Sequence, residues 1–318
     1  MRPLYLLFGL LAASPMVRAA VETGPPHFSV PAATGVGPLT FVVYGDTRFT
    51  QRTGVANAEA RRALAQRIAQ EKPAAIFIGG DLIYQGSDPA DYDTYSSETS
   101  EWSRQAIPVF PALGNHEFRG CEHDQTPCLD NWWNTFGQLK GNRWYSVNVG
   151  SNLLALVLDS DAALKRGSPQ RAWLEEQITG ADPHIQFIVI VLHFPPVRDP
   201  VYPSGRDEKE VARYLSRKEK SGSLHARVVV VGSHVHNYER YRKDGVVYLV
   251  SGGGGAKPHP AFRMFGELSQ LRTSVNFHYI RFILENGLLT GTMVRFDADD
   301  RRTDPWTEPD RFEVRTRP

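Results

Sequence analysis

The sequence predicts an α/β protein of layered type. Three observations carry that expectation. From Phe41 onward, short apolar runs alternate with polar, helix-compatible stretches. The runs are rich in β-branched residues, and most stop abruptly at glycine, aspartate, asparagine or histidine. The chain of 318 residues is long enough for about two domains of ordinary size, but α/β folds of this length often form one core, and one is expected here.

The elements follow in order. Phe41 to Tyr44 reads as a strand ending at Gly45-Asp46. Asn57 to Glu71 reads as a helix, with Ala60, Leu64 and Ile68 on one face, and Pro73 ends it. Ile76 to Ile78 is the next strand and runs into Gly79-Gly80-Asp81. Pro108 to Leu113 precedes Gly114-Asn115-His116, Phe187 to Leu192 precedes His193, and Val228 to Val231 precedes Gly232-Ser233-His234-Val235-His236. Tyr145 to Val149 and Leu153 to Leu158 flank a Gly-Ser-Asn turn as a hairpin; Tyr279 to Leu284 and Leu288 to Phe296 flank Asn286-Gly287 as a second. Val246 to Val250 leads into Gly252 to Gly255, which reads as a tight turn because it lacks the lysine and hydroxyl pattern of a nucleotide loop.

Composition sets the outer limits. With 41% hydrophobic and 22% charged residues, the chain is neither disordered, collagenous nor a coiled coil. Its 36 basic and 35 acidic residues produce no global field for nucleic acid or an anionic membrane, so partners must be recognised locally. Arg2 and the apolar stretch Leu4 to Ala13 are too short to span a bilayer and predict a signal peptide over 1–19, cut after Ala19 or Ala20. The mature protein is then soluble and exported, secreted or periplasmic, and the oligomeric state is not legible. Residues 20–38, with four prolines, read as an extended leader without a core. The main domain is expected over 39–300 and a weakly packed, charged tail over 301–318. Cys121 and Cys128 are the only cysteines, so in an oxidising compartment they predict a disulfide, with two separate thiols as the alternative.

Five apolar runs end in metal-ligand types: Asp46, Asp81, Asn115, His193, and the pair His234 and His236. One such ending would be a turn former or a helix cap. Gathered at one sheet edge, these groups would repel or stay unsatisfied without a cation. In α/β sheets, loops from several strands converge at that edge. Carboxylate, amide and imidazole suit hard or borderline metals, and six ligands exceed what one catalytic zinc uses, so two metals sharing a carboxylate fit better.

In this order, Gly45-Asp46, Gly80-Asp81, Gly114-Asn115-His116-Glu117, His193 and His234-Val235-His236 resemble the calcineurin-like metallophosphoesterases across residues 45 to 236. That superfamily mostly has histidine two positions after the first aspartate, where this chain has Arg48. Gly80-Asp81-Leu82-Ile83-Tyr84 looks like the purple acid phosphatase version, in which tyrosine replaces that histidine as a ligand, and Tyr238-Glu239-Arg240 also looks like that subfamily. The resemblance implies an α/β/β/α sandwich with the metal site at the carboxyl ends of the strands. It implies that Asp46, Tyr84 and His236 hold one metal, that Asn115, His193 and His234 hold the other, and that Asp81 bridges them. A phenolate ligand points to Fe3+ in the first site, with Fe2+, Zn2+ or Mn2+ in the second.

The expected reaction is hydrolysis of small phosphate monoesters, as in an acid phosphatase, by hydroxide formed on the metals. His116 would protonate the leaving oxygen, held by Glu117, or would only orient its loop. Asn115 and His116 would face substrate phosphate. Arg48 would either clamp the phosphate or pair with a nearby carboxylate. Ser233 stands where the family usually has glycine, and its side chain needs room. The alternatives are a phosphodiesterase or nucleotide-cleaving enzyme with the same metals, an exported metal-binding protein without turnover, and a metal-free structural module. Asp159 and Asp161 read as turn residues, His123, His259 and His278 as surface or structural groups, and Trp132, Trp133 and Phe136 as packing.

Overall fold

The computed structural model describes residues 24–31, 37–202, 205–260, 277–298 and 304–317. The signal peptide expected over 1–19 lies outside the described residues. Two sheets carry the architecture. One runs in the order β13 (Trp306–Arg315), β12 (Leu288–Phe296), β11 (Phe277–Glu285), β2 (Leu39–Tyr44), β3 (Ala75–Ile78), β4 (Val109–Pro111). The other runs β1 (His27–Val30), β5 (Tyr145–Val149), β6 (Leu153–Val157), β7 (Phe187–Val191), β8 (Arg227–Gly232), β10 (Val246–Ser251), β9 (Tyr238–Lys243). The helices are α1 (Ala58–Glu71), α2 (Pro89–Glu98), α3 (Ser100–Arg104), α4 (Thr126–Thr135), α5 (Pro169–Thr179) and α6 (Arg206–Lys220).

Side-chain alternation along single strands shows the layers. On β7, Val189 and Val191 join the core shared with Phe41, Phe77 and the six-stranded sheet. Their neighbours Ile188 and Ile190 face the opposite way, onto Leu174 of α5 and Val211 and Leu215 of α6. A strand buried on both faces needs no polar alternation, which is why Phe187 to Leu192 is a continuous apolar run. On the other flank, α1 lies against β11 and β12. The result is an α/β/β/α sandwich. Helix α1 starts where the Asn57 side chain accepts the Ala60 amide at 2.9 Å and stops at Lys72, whose φ of 48° turns the chain ahead of Pro73.

Two segments pack more than their composition suggests. Residues 27–30 pair in parallel with β5, and Phe28 meets the Tyr145 ring edge-on at 5.7 Å, so the leader contributes an edge strand. The expected weak tail instead contains β13, which pairs with β12 along its length. Its Phe312 ring covers Gly291, where a Cβ would stand only 2.2 Å from the ring. A glycine facing an aromatic ring across strands gives the ring a seat that composition alone does not announce. Asp310 of β13 also accepts the Tyr238 hydroxyl at 2.7 Å and the Arg240 guanidinium at 2.8 and 3.0 Å, tying an edge of one sheet to an edge of the other. The two cysteines form a disulfide between Cys121 and Cys128, joining the turn after Phe118 to α4.

Truncating the ring tests the docking of the last strand. Phe312→Ala is expected to lower unfolding free energy by about 3 kcal/mol in a denaturant titration. A loss below about 0.5 kcal/mol, the range of surface substitutions, would mean that β13 contributes little to the fold.

Candidate metal centre

Five strands deliver the site. The carboxyl ends of β2, β3 and β4, from one sheet, present Asp46, Asp81 and Asn115; those of β7 and β8, from the other, present His193 and the His234, His236 pair. Backbone bonds stitch these ends together: Asp46 donates to the Gly80 carbonyl at 3.0 Å and Ser233 to the His193 carbonyl at 2.9 Å. Ser233 finds its room between two glycines. A Cβ on Gly45 or Gly79 would come within 2.2 or 2.3 Å of its hydroxyl, which donates to the Ser251 carbonyl at 3.1 Å. Four residues here hold left-handed backbone: Asp46 (φ 57°), Arg48 (48°), Asp81 (51°) and His234 (68°). Such angles cost free energy for residues with a Cβ, and they persist where the surrounding structure overdetermines them, typically at functional sites.

The donor atoms form two groups that share Asp81. In the first, Asp46, Asp81 and His236 offer ligand atoms all within 4.8 Å of one another, with His236 Nε2 3.5 Å from Asp46 Oδ1. In the second, His193 Nε2 lies 3.3 Å from Asp81 Oδ1, 3.1 Å from Asn115 Oδ1 and 3.2 Å from His234 Nδ1. The electrostatics ask for a cation. Asp46 is fully buried, and its two oxygens have no hydrogen-bond partner among the described residues. Burial, and then the neighbouring Asp81 carboxylate, push its pKa well above the usual range. Burial also acts to raise Asp81, but the facing His193, His116 and Arg48 outweigh it and hold its carboxyl below that range. Burial drives His234 and His236 down to about 3, leaving both imidazoles neutral, the form that ligates metal. Orphaned carboxylate oxygens beside neutral imidazoles fit bound cations.

One expected role changes, that of Glu117. Tyr84 lies beside the His116 loop. Its ring lies under the Arg119 guanidinium at 4.2 Å and beside His116 at 5.4 Å, and its hydroxyl makes no hydrogen bond with a described residue. The cationic group facing the bridge is Arg48, 3.4 Å from Asp81 Oδ2, a pairing with a nearby carboxylate. Glu117 does not hold the His116 ring. Its carboxylate collects the amides of Gly114, Asp81 and Leu82 at 2.6 to 2.9 Å, fastening two ligand loops together. The His116 ring is held by the Tyr84 carbonyl, 2.6 Å from Nδ1.

Other residues fall as follows. Asp159 is buried and accepts Arg143 at 2.5 Å, a structural role, and buried His278 lies 3.2 Å from the Ser251 hydroxyl. Trp132 packs on Phe136 at 4.8 Å. The glycine run turns tightly against the site: a Cβ on Gly252 would meet Asp46 Oδ2 at 2.6 Å. His259, which the sequence reads as a surface or structural group, reaches the site. It stacks on His236 at 4.1 Å, a contact that a lone histidine after a glycine run does not reveal.

Comparison with known proteins gives consistent matches. Residues 39–238 match the family described as calcineurin-like phosphoesterase. The chain is similar to purple acid phosphatase 22 of Arabidopsis thaliana, 25% identical over 246 residues, 72% of this chain and 53% of that protein. Among solved structures it resembles purple acid phosphatase PPD1 from yellow lupin (Lupinus luteus) seeds, with a TM-score of 0.70 and 18% identity over 88% of this chain and 54% of that one. It also resembles GAP50, the anchor in the inner membrane complex of Plasmodium, with a TM-score of 0.60 and 16% identity over 88% and 90% of the two chains. The chain spans about half the length of these plant phosphatases, and likeness at such identities speaks for the fold.

Metal analysis separates shared from peripheral ligands. Asp81→Asn is expected to deplete both groups of metal, read by plasma mass spectrometry on purified protein. Tyr84→Phe is expected to abolish a tyrosinate absorption band while the fold survives; a band that persists in that variant would remove Tyr84 from the ligand set.

Proposed function

Because the chain belongs to the calcineurin-like phosphoesterase family, we propose that it is an exported metallohydrolase that cleaves phosphate monoesters. The observation that carries this reading is the sharing of Asp81 between two groups of donors, with the fully buried Asp46 carboxylate left unbonded. Asp46, Asp81 and His236 would hold one cation and Asp81, Asn115, His193 and His234 the other. Cations bound there would lower the pKa of water and neutralise phosphate oxygens.

The chain's own residues do the rest. Arg48 reaches Asp81 and presents its guanidinium at the edge of the cluster, where a planar fork can take two phosphate oxygens. The Nδ1 contact of His116 with the Tyr84 carbonyl leaves Nε2 on the Asp81 side, 3.9 Å from Oδ2, in position to pass a proton to a leaving oxygen. With Tyr84 as a phenolate beside Asp46, Asp81 and His236, Fe3+ suits the first group, and the carboxylate, amide and imidazole donors of the second favour Fe2+, Zn2+ or Mn2+. Export is supported by the apolar stretch near the N-terminus and by the disulfide pair. No described helix is long and apolar enough to cross a membrane.

The test is phosphate release from an aryl phosphomonoester against a bis-aryl phosphodiester, with Fe3+ and one of Fe2+, Zn2+ or Mn2+ supplied. The monoester is expected to turn over faster; a faster diester would make the protein a phosphodiesterase, and no turnover of either would remove the hydrolase reading. His116→Ala is expected to lower kcat by about 10²- to 10⁴-fold while bound metal is retained.

A further inference from the structure

Two cavities adjoin the metal centre and share a wall. The inner one, about 440 Å³, lies over His234 and His236 and is lined by Arg48, Arg198, Tyr202 and His259. The outer one, about 560 Å³, shares Arg198 and Tyr202 and adds Lys209, Arg213 and Lys243. An aromatic stack leads from the inner cavity to the wall they share: His259 stacks on His236 at 4.1 Å, and Tyr202, which lines both cavities, stacks on His259 at 5.7 Å, nearly parallel.

The charge along this path is one-sided in a chain that is otherwise balanced, 36 basic residues to 35 acidic. Arg48 faces Asp81, and Arg198 lies in the field of Glu208 and Glu239. Lys209, Arg213 and Lys243, by contrast, are exposed and make no ion pair with a described residue. The carboxylate on the outer lining is Asp244, held by Lys220 at 2.9 Å and Ser216 at 2.6 Å, and it also lies in the field of Lys243. Unpaired cations around a concave surface, continuous with a phosphate-cleaving centre, concentrate anions there.

We propose that the two cavities form one anion-binding track, so that the ester cleaved at the metal centre belongs to a substrate whose leaving group carries further oxyanions, phosphoryl or carboxylate. This rests on the phosphomonoesterase reading above and deepens it: the scissile phosphate sits against the metals and Arg48, and the distal anions lie toward Lys209, Arg213 and Lys243. The aromatic wall accepts a flat or apolar spacer between them.

Non-hydrolysable phosphonates read this out as binding, without turnover. Calorimetry on the full metal-loaded chain compares phenylphosphonate, 4-carboxyphenylphosphonate and benzene-1,4-diphosphonate. Each added oxyanion is expected to tighten binding about tenfold, equivalent to about 1.4 kcal/mol. The gain should shrink as salt rises. It should disappear in Lys209→Gln/Arg213→Gln/Lys243→Gln, whose fold is checked by circular dichroism. A gain with the diphosphonate and none with the carboxylate identifies phosphoryl groups as the distal ligand; the reverse identifies carboxylates. Equal affinity for all three phosphonates, or a gain that survives the triple substitution, overturns the track while leaving the phosphatase reading standing. Failure to bind any phosphonate, together with no cleavage of aryl phosphate, removes both.

Discussion

The site is governed by two carboxylates, Asp46 and Asp81, buried side by side at the ends of neighbouring strands. Burial makes each charge costly and proximity makes the pair more so. A fold can keep such a pair only by protonating one member or by placing positive charge between and around them. This protein does part of the second with Arg48, 3.4 Å from Asp81 Oδ2, while the oxygens of Asp46 are left without a hydrogen-bond donor among the described residues. The unbalanced half of that arrangement is what makes the centre a receptor for cations.

Holding the pair in place is a problem of space as much as of charge. Strand ends from two sheets meet so closely that glycine is the residue that fits at several contacts. Gly45 and Gly79 leave a slot for Ser233, and Gly114 lets the Asn115 loop lie against Asp81 and His193, where a Cβ would come within 2.8 Å of both. Glu117 then fixes the spacing from behind by accepting four amides from two loops. It resembles a catalytic carboxylate in the sequence and acts as a rivet in the fold.

What was legible in the sequence follows from this. Strands buried on both faces appear as uninterrupted apolar runs, and the polar residue that ends each run marks where chemistry can begin, so Asp46, Asp81, Asn115, His193, His234 and His236 stood out. The direction of a side chain did not. The spacing of Tyr84 from Asp81 does not announce that Arg48 faces the bridge or that Arg119 covers the tyrosine ring. His259 joins the site through a stack on His236, and the last strand docks through Phe312 on Gly291 and Asp310 on Arg240. These contacts link residues far apart in the chain, and no local pattern encodes them.

The Asp310 clasp also joins the last strand to the turn that bears a ligand. Its partner Tyr238 precedes it by 72 residues and follows the ligand His236 by two positions. A chain cut ahead of β13 would keep every residue of the two donor groups and lose the buried carboxylate that holds the Tyr238 hydroxyl and the Arg240 guanidinium just beyond them.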